Sequence, residues 1–335
     1  MCFLLKKDFQ EVKEFSYVDY MKLLLACFVI GIHTWLSSAC QNELATKILN
    51  LLFSIAVPYF FICSGFFLFR NDERVDTNHR MIQYVKSIIS MYIIWTFIYL
   101  PFTIYSYYAD GLNFRQGILA FIRGFLFIGE HSYSWPLWYL LALITAVALI
   151  YCMRQLHFKS FTVIIVGFIT FLLGHYINYL HFNAFDLIGH PNIIDMYFKI
   201  FPNTRNGLFF GLFYVSLGLI IAHFGRIKNP IVNISIIIIG GCLAYQKFLV
   251  GMPLLIFALF SLTLSESKFS KGAVTCRKIS TVFYFTHMLL IAPVYINKLQ
   301  LTPWLLYIIV IFILFVFSLF VLKYKETRWY KYIFR

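Results

Sequence analysis

The sequence predicts an all-α membrane protein, a polytopic bundle of about ten transmembrane helices. Of its 335 residues, 61% are apolar and 20% are aromatic, whereas 13% are charged. A typical soluble domain carries ~25% charged residues, about twice this share. Apolar runs of about 18 or more residues recur along the chain, and the mean hydropathy is +0.79. This composition excludes a soluble enzyme, a disordered chain and a secreted disulfide scaffold.

Ten apolar runs separated by charged or turn-forming residues are predicted to cross a hydrocarbon layer of ~30 Å. They cover residues 17–36, 48–69, 87–107, 135–153, 160–180, 206–224, 231–246, 248–264, 280–297 and 303–322. Only Tyr245-Gln246-Lys247 separates the seventh run from the eighth, so this pair is either a tight helical hairpin or one long element. The stretch 115–129 is short and amphipathic, which favours a helix at the membrane interface.

The distribution of positive charge predicts the orientation in the membrane. With ten spans, 20 of the 28 Lys and Arg residues fall on the side of both termini, seven fall on the other side, and Lys22 lies within the first span. Cytoplasmic loops carry the excess of Lys and Arg, so both termini are expected in the cytoplasm. The net charge of +14 therefore marks one membrane face and does not indicate a nucleic-acid partner.

The chain is expected to form a single integral membrane domain over residues 1–335. A cytoplasmic stretch (1–16) precedes the helix bundle (17–322), and a cytoplasmic tail (323–335) follows it. The seven cysteines show no metal-ligand spacing, so no metal site is predicted.

The first span contains three ionisable residues, Asp19, Lys22 and His33. An ionisable side chain deep in a span costs ~2.5–3.5 kcal/mol on insertion scales, so each requires a reason. Asp19 and Lys22 are one i,i+3 step apart and close enough to pair. The eleven steps from Lys22 to His33 leave these residues ~20° apart around the helix axis and ~16 Å apart along it. Snorkelling of Asp19 and Lys22 and a structural hydrogen bond of His33 are the alternatives to a functional stripe.

Further polar or aromatic features stand out in or beside the spans. Each has a plain structural reading: small residues for close helix packing, Trp and Tyr for an interfacial belt, and a lone Arg for an anchor. The features are Ser64-Gly65 in the second run, Trp135-Pro136-Leu137-Trp138-Tyr139-Leu140 in the fourth, Thr204-Arg205-Asn206-Gly207 before the sixth, and Tyr284 with His287 in the ninth.

These motifs together resemble acyltransferase family 3, whose members move acyl groups onto extracytoplasmic glycans. The resemblance covers essentially the whole chain. It rests on an Asp and a cation followed by His33, on the segments at 60–66 and 135–140, on the glycines at 211 and 218, and on the Y-x-x-H at 284–287. Thr204-Arg205-Asn206-Gly207 resembles a subset that includes the membrane halves of some vancomycin-resistance serine racemases. The family more often has Arg at the position of Lys22.

The resemblance implies a donor and an acceptor. Acetyl-CoA, or another acyl-CoA, is expected to arrive from the cytoplasm, with Arg70, Arg74, Arg80 and Lys86 as candidate ligands of its phosphates. The acceptor is expected to be a hydroxyl of a cell-surface or lipid-linked glycan, and membrane lipid surrounds the chain. The expected location is the cell membrane, as the plasma or inner membrane of a bacterium.

The resemblance also assigns roles to side chains. His33 is expected to act as the base that takes the hydroxyl proton, because imidazole titrates near neutral pH. Asp19 and Lys22 are expected to anchor the stripe or to contact the donor. Orientation, oxyanion support or acceptor binding falls to Ser64, Gly65, Trp138, Arg205, Tyr284 and His287, with Glu130 and His131 as weaker external candidates.

Three alternatives remain open at this point. A transporter or flippase for a small molecule or a lipid-linked sugar also has about ten spans and intramembrane charges. A non-catalytic membrane sensor is the second alternative. The third is the same fold transferring succinyl or another acyl group.

Overall fold

Helices dominate the computed structural model, which describes residues 15–71, 74–183, 192–265 and 270–334. The α-helices in these ranges are α1 (Ser16–His33), α2 (Glu43–Ser54), α3 (Ala56–Phe69), α4 (Arg74–Ala109), α5 (Phe114–Arg123), α6 (Trp138–Gln155), α7 (Ser160–Asn183), α8 (Asn192–Ile200), α9 (Leu212–Phe224), α10 (Pro230–Tyr245), α11 (Gly251–Thr263), α12 (Lys271–Ile296), α13 (Pro303–Leu322) and α14 (Arg328–Ile333). Short helical turns at Leu36–Ala39, Gly124–Ile128, Trp135–Leu137 and Gly207–Gly211 connect or extend them. These ranges contain no β-strand.

Eight helical segments in the described ranges are long and apolar enough to cross a membrane, which confirms a polytopic all-α bundle. The remaining two predicted spans are the helices α10 and α11, of 16 and 13 residues. They form a hairpin through a turn after Tyr245, so the single long element is excluded. Their lengths of about 24 and 20 Å are shorter than a ~30 Å hydrocarbon layer.

Two helices begin well before the predicted span boundaries. Helix α4 begins at Arg74 instead of residue 87, and α12 begins at Lys271 instead of residue 280. Met81 and Ile88 are buried two helical turns apart, so an apolar face continues through the basic region of α4. The Ser270 hydroxyl caps α12 by accepting the Ala273 N–H at 3.3 Å. The predicted loops at 70–86 and before residue 280 are therefore largely helical. The predicted spans are too short here because they end at charged residues.

The amphipathic stretch after residue 113 begins as a short helix. Asn113 and Gln116 form a reciprocal capping box at the start of α5, and none of the α5 residues is buried. The helix ends at Arg123, and a wider helical turn continues to Ile128. Its place at a membrane interface remains a prediction.

Two helix contacts position the candidate site. Helix α1 packs along α12, and α3 packs against α9. The second contact is very close, because a Cβ on Gly65 would collide with the carbonyl of Val215, and one on Gly218 would collide with the carbonyl of Ile62. Small residues permit this approach of two backbones. Gly65 therefore has a packing role, whereas its neighbour Ser64 faces a cavity.

Candidate active site

The carboxylate of Asp19 lies between two cations near the start of α1. Its Oδ1 atom is 3.9 Å from Nζ of Lys22, as the i,i+3 spacing predicts. Its Oδ2 atom is 3.3 Å from Nη1 of Arg277 on α12. Asp19 is 7% exposed, and the ammonium of Lys22 also lies 5.0 Å from the ring centre of Phe67. The sequence identified the Asp19–Lys22 pair, whereas Arg277 joins it through the packing of α1 on α12.

A cavity of about 790 Å³ lies beside this charge cluster. Four cations line it, from α1, α4 and α12: Lys22, Arg80, Arg277 and Lys278. Most of the other lining side chains are apolar or aromatic, including Tyr330 and Phe334 of the C-terminal segment. An apolar cavity with several cations is suited to a ligand that joins anionic groups to an apolar body.

Hydroxyl groups cluster in the same cavity. The Ser64 hydroxyl lies 3.1 Å from that of Tyr139, and Tyr84 lines the same cavity. The ring of Tyr139 packs edge-on against that of Tyr284, at 5.9 Å between centroids. The Tyr284 hydroxyl donates to the carbonyl of Pro136. Along α12, the lining runs from Arg277 to Phe285, about 12 Å of helix axis, so Arg277 and Tyr284 lie about two helical turns apart.

The four cations expected to bind a donor lie in different places. Arg80 lines the main cavity; its Nη2 donates to the Thr77 hydroxyl at 2.7 Å and to the Asn71 carbonyl. Arg70 lies beside a separate cavity of about 150 Å³. Lys86 is exposed and outside the main cavity lining. The side chain of Arg74 lies outside the described part of the structure.

Helical periodicity explains this division. Arg80, Gln83, Tyr84 and Ser87 line the cavity at steps of three, four or one residues, which keeps them on one face of α4. Lys86 is six residues beyond Arg80, which places it about 120° around the helix axis from Arg80 and beyond the edge of the lining face. The basic stretch therefore presents Arg80 to the main cavity and turns Lys86 away, and the donor-binding roles of these cations stay predictions.

His33 lies at the opposite end of α1 from the charge cluster, next to a second histidine. The rings of His33 and His287 are 5.2 Å apart between centroids, and Trp135 stacks on His33 at 5.8 Å. The Tyr295 hydroxyl donates to the backbone carbonyl of His33 at 2.5 Å. The residues of this one stripe of α1 therefore lie in two different places. Asp19 and Lys22 lie beside the cavity, and His33 contacts α12 and the turn before α6.

His287 is fully buried, and its protonation pattern follows from its contacts. Its Nδ1 atom lies 2.9 Å from the carbonyl oxygen of Phe283. Because a carbonyl only accepts, Nδ1 must carry the proton, and Nε2 of the neutral ring then holds a lone pair. Nε2 is buried with no hydrogen-bond partner among the described residues. Tyr284, one turn earlier on α12, links this histidine pair to the main cavity.

Arg205 lies close to His33, which ends the helix that carries Lys22 near its start. Its guanidinium is 5.5 Å from the ring centre of Trp138, and it lines a cavity of about 260 Å³ with His175 and Asn178. It also lines a small crevice with Glu130. Trp138, predicted as an interfacial or supporting residue, therefore contacts a cation directly.

Two titratable groups next to this region lie outside the spans. Burial raises the pKa of Glu130 to about 7, and the positive charge of Arg205 opposes that shift. Burial lowers the pKa of His131 to about 4. The His131 ring stacks on Phe121 at 4.7 Å, and its Nδ1 lies 3.0 Å from the Tyr107 hydroxyl. Glu130 thus titrates near neutral pH, whereas His131 stays neutral there.

The structure brings in several residues that the sequence-based set lacks. Arg277 and Lys278 were assigned to a loop, although Arg277 is seven residues before Tyr284 and so shares its helix face. Tyr84 is four residues after Arg80 and therefore lies on the same face of α4. Tyr139 was assigned to an aromatic belt, and only the packing of α6 against α3 and α12 reveals its contact with Ser64.

Comparison with known protein families gives a match over most of this chain. The family described as an acyltransferase domain matches residues 15–323. An amino-acid racemase of Enterococcus faecalis is 27% identical over 213 residues, which are 62% of this chain and 28% of that protein. A serine/alanine racemase of Enterococcus gallinarum is 26% identical over 214 residues, 61% of this chain and 28% of that protein. The chain thus spans less than a third of these relatives. No solved structure matches.

Proposed function

The chain belongs to the acyltransferase domain family, and from that premise we propose that it moves an acetyl group from acetyl-CoA to a hydroxyl of a cell-surface or lipid-linked glycan. The observation that carries the proposal is the cavity lined by Lys22, Arg80, Arg277 and Lys278. Coenzyme A joins phosphate groups to a long neutral arm that ends in a thioester. The cations that line this cavity suit the phosphates, and the hydroxyls of Ser64 and Tyr139 suit the thioester.

The charged end of the cavity would hold the phosphates of the donor. Arg277 and Arg80 each offer a planar fork of donors that matches phosphate oxygens. Asp19 pairs with Lys22 and Arg277 and so holds both side chains in place before a donor arrives. This preorganisation lowers the entropy lost on binding.

The hydroxyl end of the cavity would hold the thioester. Ser64 and Tyr139, whose hydroxyls are 3.1 Å apart, supply hydrogen-bond donors for the carbonyl oxygen, on which negative charge develops during attack. Tyr284 connects this end to the histidine pair, because it precedes His287 by one turn of α12. Gly65 contributes by allowing α3 to pack against α9, which sets the position of Ser64.

His33 would take the proton of the acceptor hydroxyl as the hydroxyl oxygen attacks the thioester carbonyl carbon. The carbon–sulfur bond then breaks, and coenzyme A leaves as a thiolate that receives the proton from His33. The new carbon–oxygen bond is the ester on the acceptor. Trp135 stacks on the His33 ring and restricts its orientation, which a general base requires.

The charge count supports an orientation for this chemistry. With both termini in the cytoplasm, the cavity beside Lys22 would receive its donor from the cytoplasm, and Arg205 would face the acceptor on the other side. The acetyl group would then cross a bacterial plasma membrane through the bundle, while coenzyme A stays on the cytoplasmic side.

Transfer assays in proteoliposomes test the proposal. Acetyl-CoA labelled in the acetyl group is sealed inside, purified surface glycan is supplied outside, and labelled ester on the glycan is measured. We expect the wild-type protein to label the glycan and His33→Ala to lose transfer by roughly 10²–10⁴-fold. His157→Ala, at an exposed histidine, is the matched control and should retain activity. Binding of coenzyme A by His33→Ala checks that this variant is folded.

Two outcomes would contradict the proposal. Undiminished transfer by a folded His33→Ala would remove His33 as the base. Movement of a sugar or lipid-linked sugar across the membrane without consumption of acetyl-CoA would favour a transporter. Lys22→Arg should retain much of the activity that Lys22→Ala loses, because the first keeps the positive charge beside Asp19.

A further inference from the structure

The cavity that Arg205 lines shares no lining residue with the cavity of about 790 Å³ beside Lys22, called the donor cavity from here on after its proposed ligand. Its walls come from the last part of α7, which supplies His175 and Asn178, and from the loop that leads into Gly207–Gly211. Its volume is about 260 Å³, just below the ~300–1,000 Å³ of pockets that hold drug-sized ligands. This space suits a ligand of about one sugar ring.

The loop that carries Arg205 is held by side-chain hydrogen bonds. The Asn203 side chain accepts the backbone N–H of Arg205 at 2.8 Å. The Asn206 side chain accepts the N–H groups of Leu208 and Phe209 at 3.0 Å each and donates to the Tyr197 hydroxyl at 2.8 Å. The backbone at Arg205 is therefore fixed at both sides, and its guanidinium lies over Trp138.

The cavity combines a cation with an unsatisfied amide. A guanidinium binds a carboxylate through two parallel hydrogen bonds, a geometry that an ammonium does not offer. Asn178, three residues from His175 on the same helix, has an Oδ1 atom that is buried without a hydrogen-bond partner in the described chain. Buried polar atoms are normally paired, and a ligand hydroxyl that donates to this amide would complete the pair.

We propose that this cavity binds an acidic sugar unit of the acceptor, with the sugar carboxylate on Arg205 and a sugar hydroxyl on the Asn178 amide. The inference deepens the proposed transfer reaction and rests on it. Trp138, under the guanidinium, is one turn from Trp135, whose ring stacks on His33. An acceptor held at Arg205 therefore lies beside the histidine pair, on the side opposite the donor cavity.

The test compares sugars that differ in one group. The full chain in lipid nanodiscs is titrated, without any acyl-CoA, with D-glucuronate, D-glucose and D-glucose 6-phosphate. We expect D-glucuronate to bind about tenfold more tightly than D-glucose, as one charge-assisted bidentate pair allows. D-Glucose 6-phosphate carries its anion two bonds further from the ring than D-glucuronate does, so in a cavity of about one sugar ring it should bind more weakly.

Variants assign the preference to the cavity. Arg205→Gln should abolish the preference for D-glucuronate over D-glucose, and Arg205→Lys should keep only part of it. Asn178→Ala should weaken binding of both sugars about equally, because it removes a contact to the shared hydroxyls. Arg115→Gln, the same change at an exposed position of α5, is the matched control and should bind as the wild type does.

The outcomes separate this inference from the transfer reaction. Equal or absent binding of D-glucuronate and D-glucose by the wild type would overturn the inference, as would a preference that persists in Arg205→Gln. If D-glucose 6-phosphate binds as tightly as D-glucuronate or more tightly, the preferred anion is a phosphate and not a carboxylate, and the inference is also overturned. Coenzyme A binding, measured on the same samples, reports on the donor cavity. If coenzyme A does not bind while the preference for D-glucuronate is retained, only the proposed transfer reaction is contradicted.

Discussion

The ring of His33 lies 5.2 Å from the ring of His287, measured between centroids. The two residues come from the first and the ninth of the ten runs, and the packing of α1 along α12 brings them together. His287 donates from Nδ1 to a backbone carbonyl, so its lone pair is on Nε2, deep in the bundle. In the proposed reaction, a proton taken up by His33 would thus have a second imidazole next to it.

Replacing His287 tests this arrangement. His287→Phe preserves an aromatic ring against His33 but removes both nitrogen atoms. We expect acetyl transfer to fall by about 10²-fold, with coenzyme A affinity unchanged because His287 does not line the donor cavity. Activity that survives in His287→Phe but not in His287→Ala would reduce the role of His287 to packing.

Removing the carboxylate of Asp19 should destabilise the protein. Asp19→Asn leaves Lys22 and Arg277 close together without their negative partner, and we expect a loss of about 1–3 kcal/mol in the free energy of unfolding. Thermal unfolding in detergent measures the change. Glu326→Gln removes a carboxylate from an exposed pair with Lys331 and should change stability by less than ~0.5 kcal/mol. Equal effects of the two substitutions would contradict a special role for Asp19.

The cations of the donor cavity should determine coenzyme A affinity. We expect Arg80→Gln and Arg277→Gln each to weaken binding of coenzyme A by roughly tenfold, since each removes a charged contact to phosphate. The effect should shrink at high salt. Lys86→Gln makes the same loss of charge on the exposed face of α4, and its affinity should match the wild type. A larger effect at Lys86 than at Arg80 would refute the face assignment on α4.

The pH dependence of acceptor binding should follow Glu130. Its pKa of about 7 means that the carboxyl is protonated at pH 6 and ionised at pH 8. The ionised form places a negative charge beside Arg205 and opposes a second carboxylate, so the affinity for D-glucuronate should fall as pH rises through 7.

Glu130→Gln isolates this effect from other titrating groups. The affinity of this variant for D-glucuronate should change less from pH 6 to pH 8 than that of the wild type, because the carboxyl is gone and His131, with a pKa of about 4, is neutral throughout. Glu43→Gln, at an exposed carboxylate paired with Lys47, should keep the wild-type profile. A wild-type affinity that rises with pH would reverse the sign and contradict the role of Glu130.

Close packing of α3 on α9 should be sensitive to one methyl group. Gly65→Ala sets a Cβ against the carbonyl of Val215, and two backbones must separate to admit it, so we expect a loss of roughly 1–3 kcal/mol or more. Gly241→Ala is the matched control: a Cβ there meets only the end of the Leu255 side chain, at 3.7 Å. It should be neutral or slightly stabilising, because Ala favours a helix interior. Thermal unfolding of both variants gives the comparison.

Local pattern alone was enough for the fold class and for part of the site. Ten apolar runs predicted the helices because the bilayer demands long apolar segments whatever their neighbours. The i,i+3 spacing predicted the contact of Asp19 with Lys22, because such a contact is internal to one helix. The helix boundaries near Arg74 and Lys271 were wrong by many residues, since charged residues end an apolar run without ending a helix.

Long-range packing decided the rest. Nothing in the sequence near Asp19 indicates Arg277, nothing near Ser64 indicates Tyr139, and nothing near His33 indicates that the ring of His287 would face it. Each of these contacts joins two helices whose relative rotation depends on side-chain fit, including the glycine contact at Gly65 and Gly218. The sequence by itself determined a membrane helix bundle with ionisable residues in its first span. The tertiary structure divided that stripe between a basic cavity and a histidine pair, because α1 contacts different neighbours at its two ends.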